Sequence, residues 1–144
     1  MPSRHPTTAA ALCIVVLGCN AAQPVAPSAA HQLIAPGLEQ SVRLIPAVPT
    51  SGSQLQIVSL VTNRSADSVA VTSRICGLDT GGDLVLVTAR LACAGYSLQV
   101  ALGSGDSVPA GDVRVVASPP GHYSLRVRQL LAPQAWVDVP VVVR

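Results

Sequence analysis

Val137, Val139, Val141 and Val143 stand at alternate positions near the end of the chain, and the same two-residue beat recurs along much of it. Such spacing sends one set of side chains to one side of a strand and the intervening set to the other. A segment written this way has a single face to bury, which suits a strand and not a helix. Tyr123, Leu125 and Val127 alternate with Ser124, Arg126 and Arg128; Tyr96, Leu98, Val100 and Leu102 repeat the pattern. Residues 41–45, 55–62 (LQIVSLVT), 68–75, 84–88 and 113–117 supply further short segments rich in branched side chains. Clusters of turn formers divide them, notably 63–67 (NRSAD) and 103–106 (GSGD). The pattern predicts about seven or eight antiparallel strands packed as a sandwich, with 55–62 and 68–75 joined as a hairpin. With 2% aromatic residues and no Phe, its core must be built from Val, Leu and Ile. Pro140 lacks a ladder donor, which predicts an edge or a bulge in the last strand.

Three stretches carry a family resemblance. Val61-Thr62-Asn63-Arg64-Ser65 followed by Ser68-Val69-Ala70-Val71 reads as a strand, an N-x-S turn and a strand. Leu102 to Val108 (LGSGDSV) is similar to an L-x-x-G-[ED]-S turn, and Pro120 to Leu125 (PGHYSL) to a PG-x-Y-x-L strand. Over roughly residues 55–144 the chain thus resembles the immunoglobulin-like sandwich domains of bacterial envelope proteins. It is particularly similar to the BsuPI-type intracellular proteinase inhibitor domain, which recurs in lipoproteins. The resemblance implies an all-β, immunoglobulin-like sandwich. It also implies that the Tyr123 hydroxyl bonds back to the main chain, as in a tyrosine corner, and, as an activity, protease inhibition. Two cysteines, an export signal and the scarcity of aromatics depart from that pattern.

The start of the chain reads differently. Arg4 lies in a short polar opening, and residues 9–17 (AAALCIVVL) are uninterruptedly apolar. A membrane-spanning helix needs about 20 such residues, so the run fits an export signal. Val16-Leu17-Gly18-Cys19 resembles the lipobox of bacterial lipoproteins. That resemblance implies cleavage before Cys19 and a thioether-linked diacylglycerol on its thiol, with an N-terminal palmitate. An ordinary signal cut after Ala21 is the alternative. Multiple acyl chains, each contributing about 0.8 kcal/mol per buried methylene, hold such a protein to its membrane. Asn20, where an aspartate would imply retention at the inner membrane, implies the outer membrane of the cell envelope. The expected organisation is a signal peptide over 1–18, a lipidated cysteine and Pro/Ala-rich linker over 19–37, and a sandwich over 38–144.

Under the lipobox resemblance, Cys13 leaves with the signal and Cys19 takes the lipid. Cys76 and Cys93 remain, outside the reducing cytoplasm, where a disulfide is the simplest reading. Such a bridge contributes about 3 kcal/mol in the chain-entropy picture. A redox or metal site is the other reading, but no C-x-x-C is present and no histidine lies near either cysteine in sequence.

Candidate chemistry is sparse. Ser107 in the GDSV stretch would need a base, and His122 is the one histidine in the strand region; the esterase-like setting such a pair requires is missing. Asp79 and Asp83 flank LDTGGD, which reads as a hairpin loop rather than a calcium loop, because calcium needs more carboxylates at closer spacing. Arg126 and Arg128 share an outward parity, available to a partner or to solvent. The basic residues are all arginines, spread singly at a net charge of +2, which argues against nucleic-acid binding. We therefore expect no enzyme, cofactor or metal. The expected function is an envelope-anchored lipoprotein whose sandwich is a binding or structural module. Its membrane contact would run through Cys19, an envelope protein is its expected partner, and the edge over 137–143 is a candidate docking site. A protease inhibitor of the cell envelope is the alternative.

Overall fold

The computed structural model describes residues 29–88, 97–132 and 134–144, with the backbone alone at 73–77, 88 and 132. Nine strands run through these residues: β1 (Ala29–Ala35), β2 (Leu38–Ile45), β3 (Gln54–Asn63), β4 (Val69–Gly82), β5 (Leu86–Thr88), β6 (Ser97–Leu102), β7 (Ser107–Val116), β8 (Gly121–Ala132) and β9 (Val137–Val143). One sheet has the order β1-β2-β3-β7-β5 and the other β6-β4-β8-β9, every neighbouring pair antiparallel. The fold is the expected all-β sandwich.

Alternation explains the packing. Leu38, Gln40, Val42 and Leu44 of β2 point inward, as do Leu55, Ile57, Ser59 and Val61 of β3. From the other sheet they meet Leu125, Val127, Gln129 and Leu131 of β8 and the four alternate valines of β9, all of them buried. The core is not continuous. Val42, Leu44, Leu55, Ile57, Leu125 and Val127 belong to a large apolar cluster, whereas Leu38, Val61, Val71, Leu102 and Leu131 form a smaller one. Between the two runs a chain of polar groups. Gln40 Nε2 donates to Ser59 Oγ at 3.1 Å, Ser59 Oγ donates to Gln129 Oε1 at 3.1 Å, and Gln129 Nε2 donates to the Val108 carbonyl at 3.3 Å. Pairing the polar groups this way removes most of the cost of burying them.

Four expectations are corrected. The sheet begins at Ala29, inside the stretch assigned to the linker over 19–37, because Ala29–Ala35 pairs with β2 from Ala29↔Arg43 to Ala35↔Leu38. Pro36-Gly37 closes this hairpin, with Gly37 at φ +74 supplying the left-handed turn residue. The predicted hairpin between 55–62 and 68–75 does not form. β3 pairs with β2 and β7, and β4 lies in the opposite sheet, so residues 64–68 cross from one layer to the other. Asp79 to Gly82, read as a loop, continues β4 and pairs with β8 as far as Gly82↔Leu125. β7 starts six residues earlier than expected, at Ser107, and runs through Pro109. Proline is tolerated there because β5 covers β7 only from Arg114 to Val116. Pro140 meets its expectation, since β9 is an edge strand.

Two of the motifs behind the resemblance meet in space. Asn63, fully buried, donates from Nδ2 to the carbonyls of Asp67 (2.7 Å), Leu102 (2.9 Å) and Gly103 (3.2 Å). Its Oδ1 accepts from the backbone N–H and hydroxyl of Ser65, at 2.9 and 2.6 Å. Its own N–H donates to the Asp106 carbonyl, and its carbonyl accepts from Gly105 N–H. One side chain thus locks the layer crossing to the β6–β7 turn. Tyr123 also behaves as expected, donating its hydroxyl to the Pro119 carbonyl at 2.9 Å.

Candidate functional site

The two outer faces of the sandwich differ in kind. On the β8 side, Arg128 pairs with Asp79 of β4, and Arg126 Nε lies 3.2 Å from Asp138 Oδ1 of β9. The Trp136 ring lies under both guanidinium groups, its centroid 5.2 Å from Arg126 and 4.6 Å from Arg128. The two arginines that outward parity offered to a partner are therefore satisfied within the domain. An aromatic face beneath a cation adds about 0.5–1 kcal/mol at such exposed positions.

The β3 side differs in leaving apolar side chains exposed. Outward positions across the sheet carry Leu33 of β1, Ile45 of β2, Val58 and Leu60 of β3, Val113 of β7 and Val87 of β5. Leu33 is 67% exposed, Val87 55%, Val113 44% and Ile45 41%. Val85, just before β5, is exposed as well. Five strands at about 4.8 Å spacing make this face roughly 20 Å across. Exposed apolar side chains gathered on one face are the kind of surface a partner covers.

A groove of about 310 Å³ lies in this face, lined by Ala29 and His31 of β1, Ser41, Val42 and Arg43 of β2, and Val58 and Leu60 of β3. The register explains the grouping: His31 pairs with Ser41 and Ser41 with Leu60, while Ala29 pairs with Arg43 and Arg43 with Val58. Beside it, Arg64 donates to Glu39 at 3.0 Å, and His31 Nδ1 lies 3.6 Å from the same carboxylate. The Arg64 hydrogen bond holds the Glu39 carboxyl below its ordinary value of 4.5 against a smaller opposing push from desolvation, and the charges of Arg64 and His31 assist. Among the described residues, no carboxylate reaches the Arg43 guanidinium.

The other sequence-derived candidates fall elsewhere. Cys19 and Cys93 lie outside the described residues, as does the signal segment over 1–18, and Cys76 is described only by its backbone in β4. Ser107 and His122 do not meet: Ser107, on β7, is 2.8 Å from the Thr62 hydroxyl, whereas His122 is exposed on β8 in the other sheet. Asp79 is engaged by Arg128, and Asp83 Oδ1 accepts the Ser124 N–H at 2.6 Å, so the pair does not converge on a cation site. Among the described residues no three His, Cys, Asp or Glu side chains gather as metal ligands. The groove residues were not singled out by sequence reading. One signal for them was available, since Val58 and Leu60 make LQIVSLVT apolar on both parities, which a strand with a solvated outer face does not need.

No family model and no curated protein matches the chain. A solved structure similar to it is the ASH / PapD-like domain of human CEP192 (PapD-like domain 7), at 7% identity and a TM-score of 0.36, over 98% of this chain and 96% of that one.

Proposed function

We propose that the chain is an envelope lipoprotein, anchored by acyl groups on Cys19, whose sandwich is a non-enzymatic binding module working through the outer face of β1-β2-β3-β7-β5. The contrast between the two outer faces carries this reading. One face satisfies its charges internally, while the other leaves Leu33, Ile45, Val87 and Val113 in water. Water-exposed apolar surface gains about 25 cal/mol per Å² when a partner covers it. The edge at β9 is a weaker candidate, because Pro140 interrupts its donors and its inward valines are already committed to the core.

The test has two arms. Metabolic labelling with a palmitate analogue is expected to mark the protein and to fail for Cys19→Ala; unchanged labelling overturns the anchor. A photo-cross-linking residue at position 113 is expected to trap a partner in intact cells, and one at position 124, on the opposite face, is not. Equal trapping at both positions, or none at either, overturns the assigned face.

A further inference from the structure

We infer that the groove between β1, β2 and β3 binds a free, single-chain amphiphile with an anionic head, such as a medium-chain carboxylic acid. The inference rests on the reading of this face as the binding surface and names a ligand class for it. Ala29, Val58 and Leu60 give the groove apolar walls, and Ser41, His31 and Arg43 its polar groups. Charge selects the head group. Arg43 brings a full positive charge that no carboxylate among the described residues neutralises. Glu39, the acidic residue next to the groove, is already held by Arg64 at 3.0 Å. A planar guanidinium is suited to two parallel hydrogen bonds with a carboxylate, while the Ser41 hydroxyl already donates to the Leu60 carbonyl at 3.5 Å.

The tail has a defined course. Past Arg43 on β2 comes Ile45, and across Gln56 from it stands Val113, both exposed on the same face. An alkyl chain longer than the groove would continue over these side chains and cover them. Gly111, opposite Val58, leaves the path free of a side chain. At about 310 Å³ the groove lies at the lower limit of small-molecule sites, which fits one chain and not a two-chain lipid.

The test uses cells making the full chain and three diazirine-bearing probes: dodecanoic acid, dodecanol and a phosphatidylglycerol. The acid is expected to label peptides carrying residues 29–31, 41–43 and 58–60. Arg43→Gln should cut that labelling about ten-fold, the worth of one charged hydrogen-bond pair, without changing labelling by the alcohol. Val58→Glu, which both narrows the groove and repels an anion, should abolish labelling by the acid. His122→Gln, on the other sheet, should leave it unchanged. Labelling by acid and alcohol alike, indifferent to Arg43→Gln, overturns the site, as does no labelling. Labelling by phosphatidylglycerol alone also overturns it, assigning the face to the membrane surface. If position 113 still traps a partner when the acid fails to label, the inference falls and the binding face stands.

Discussion

Asn63, at the end of one sheet, donates its side-chain amide to the carbonyl of Leu102, at the end of the other, across 2.9 Å. The two residues are neighbours of turns that the sequence presents as separate punctuation, and the fold makes them one junction. Asn63→Ala would leave the buried Leu102 carbonyl without this partner and take an acceptor from the half-buried Ser65 donors. We expect a loss of about 2–4 kcal/mol, given a typical cost of 1–3 kcal/mol for each buried group left unpaired. Equilibrium urea unfolding measures it; a loss below about 0.5 kcal/mol, the range of ordinary surface changes, would refute the junction.

The polar chain through the core makes a second prediction. Ser59→Ala strands Gln129 Oε1 and Gln40 Nε2 together and should cost about 2 kcal/mol. Replacing all three residues, Gln40→Leu with Ser59→Ala and Gln129→Leu, removes the stranded side-chain groups, leaves only the part-buried Val108 carbonyl without its Gln129 donor, and joins the two apolar clusters. The triple variant should then be more stable than Ser59→Ala alone, because apolar replacement of a whole buried polar set is often neutral or favourable. Additive losses in the same unfolding assay would contradict this account.

Two glycines with similar backbone angles should respond very differently to alanine. Gly52, at φ +79, has open space around an added Cβ, while at Gly82, φ +97, that atom would lie 2.1 Å from the Ser124 carbonyl oxygen. Gly52→Ala should cost about 1–2 kcal/mol, the left-handed penalty alone. Gly82→Ala must also push β8 away from β4, so it should unfold at a distinctly lower temperature. Equal melting temperatures for the two variants would show that the β4–β8 approach is looser than described.

Glu39 sets a pH dependence. Its folded-state pKa is depressed, so the stability it contributes is present above its ordinary value of 4.5 and is lost as pH falls through the folded value. Arg64→Gln removes the main cause of the depression and should return the Glu39 titration toward 4.5. The stability difference between the parent and Arg64→Gln should close on acidification. Carboxyl-carbon NMR shifts follow the first effect directly; an unmoved Glu39 titration would rule out Arg64 as its cause.

Much of this architecture could be read from alternation. The inward valines of β9 and the edge position of Pro140 follow from local pattern, because each depends on residues close together in the chain, whereas the Tyr123 corner was implied by the family resemblance. β1 escaped because AAHQLIA has little alternation and few branched side chains; it is a strand by virtue of its partner. The better clue was Pro36-Gly37, a pair that serves as a hairpin turn as well as a helix breaker. The crossing from β3 to β4 was hidden for a similar reason. A cluster of turn formers says that the chain reverses, not which sheet receives it. The groove lay deeper still, since Ala29, Arg43 and Val58 share a wall only through the register of three strands.

Trp136, the one tryptophan in the chain, lies against Arg126 and Arg128, on the face opposite the groove. Its emission is therefore a gauge of one half of the molecule. A ligand settling over Val58 and Leu60 should leave the fluorescence unchanged, while loss of the sandwich frees the ring from its two cations and shifts it. Occupancy and unfolding can thus be followed in a single sample without an added dye, the first by a label on the ligand and the second by the protein's own light.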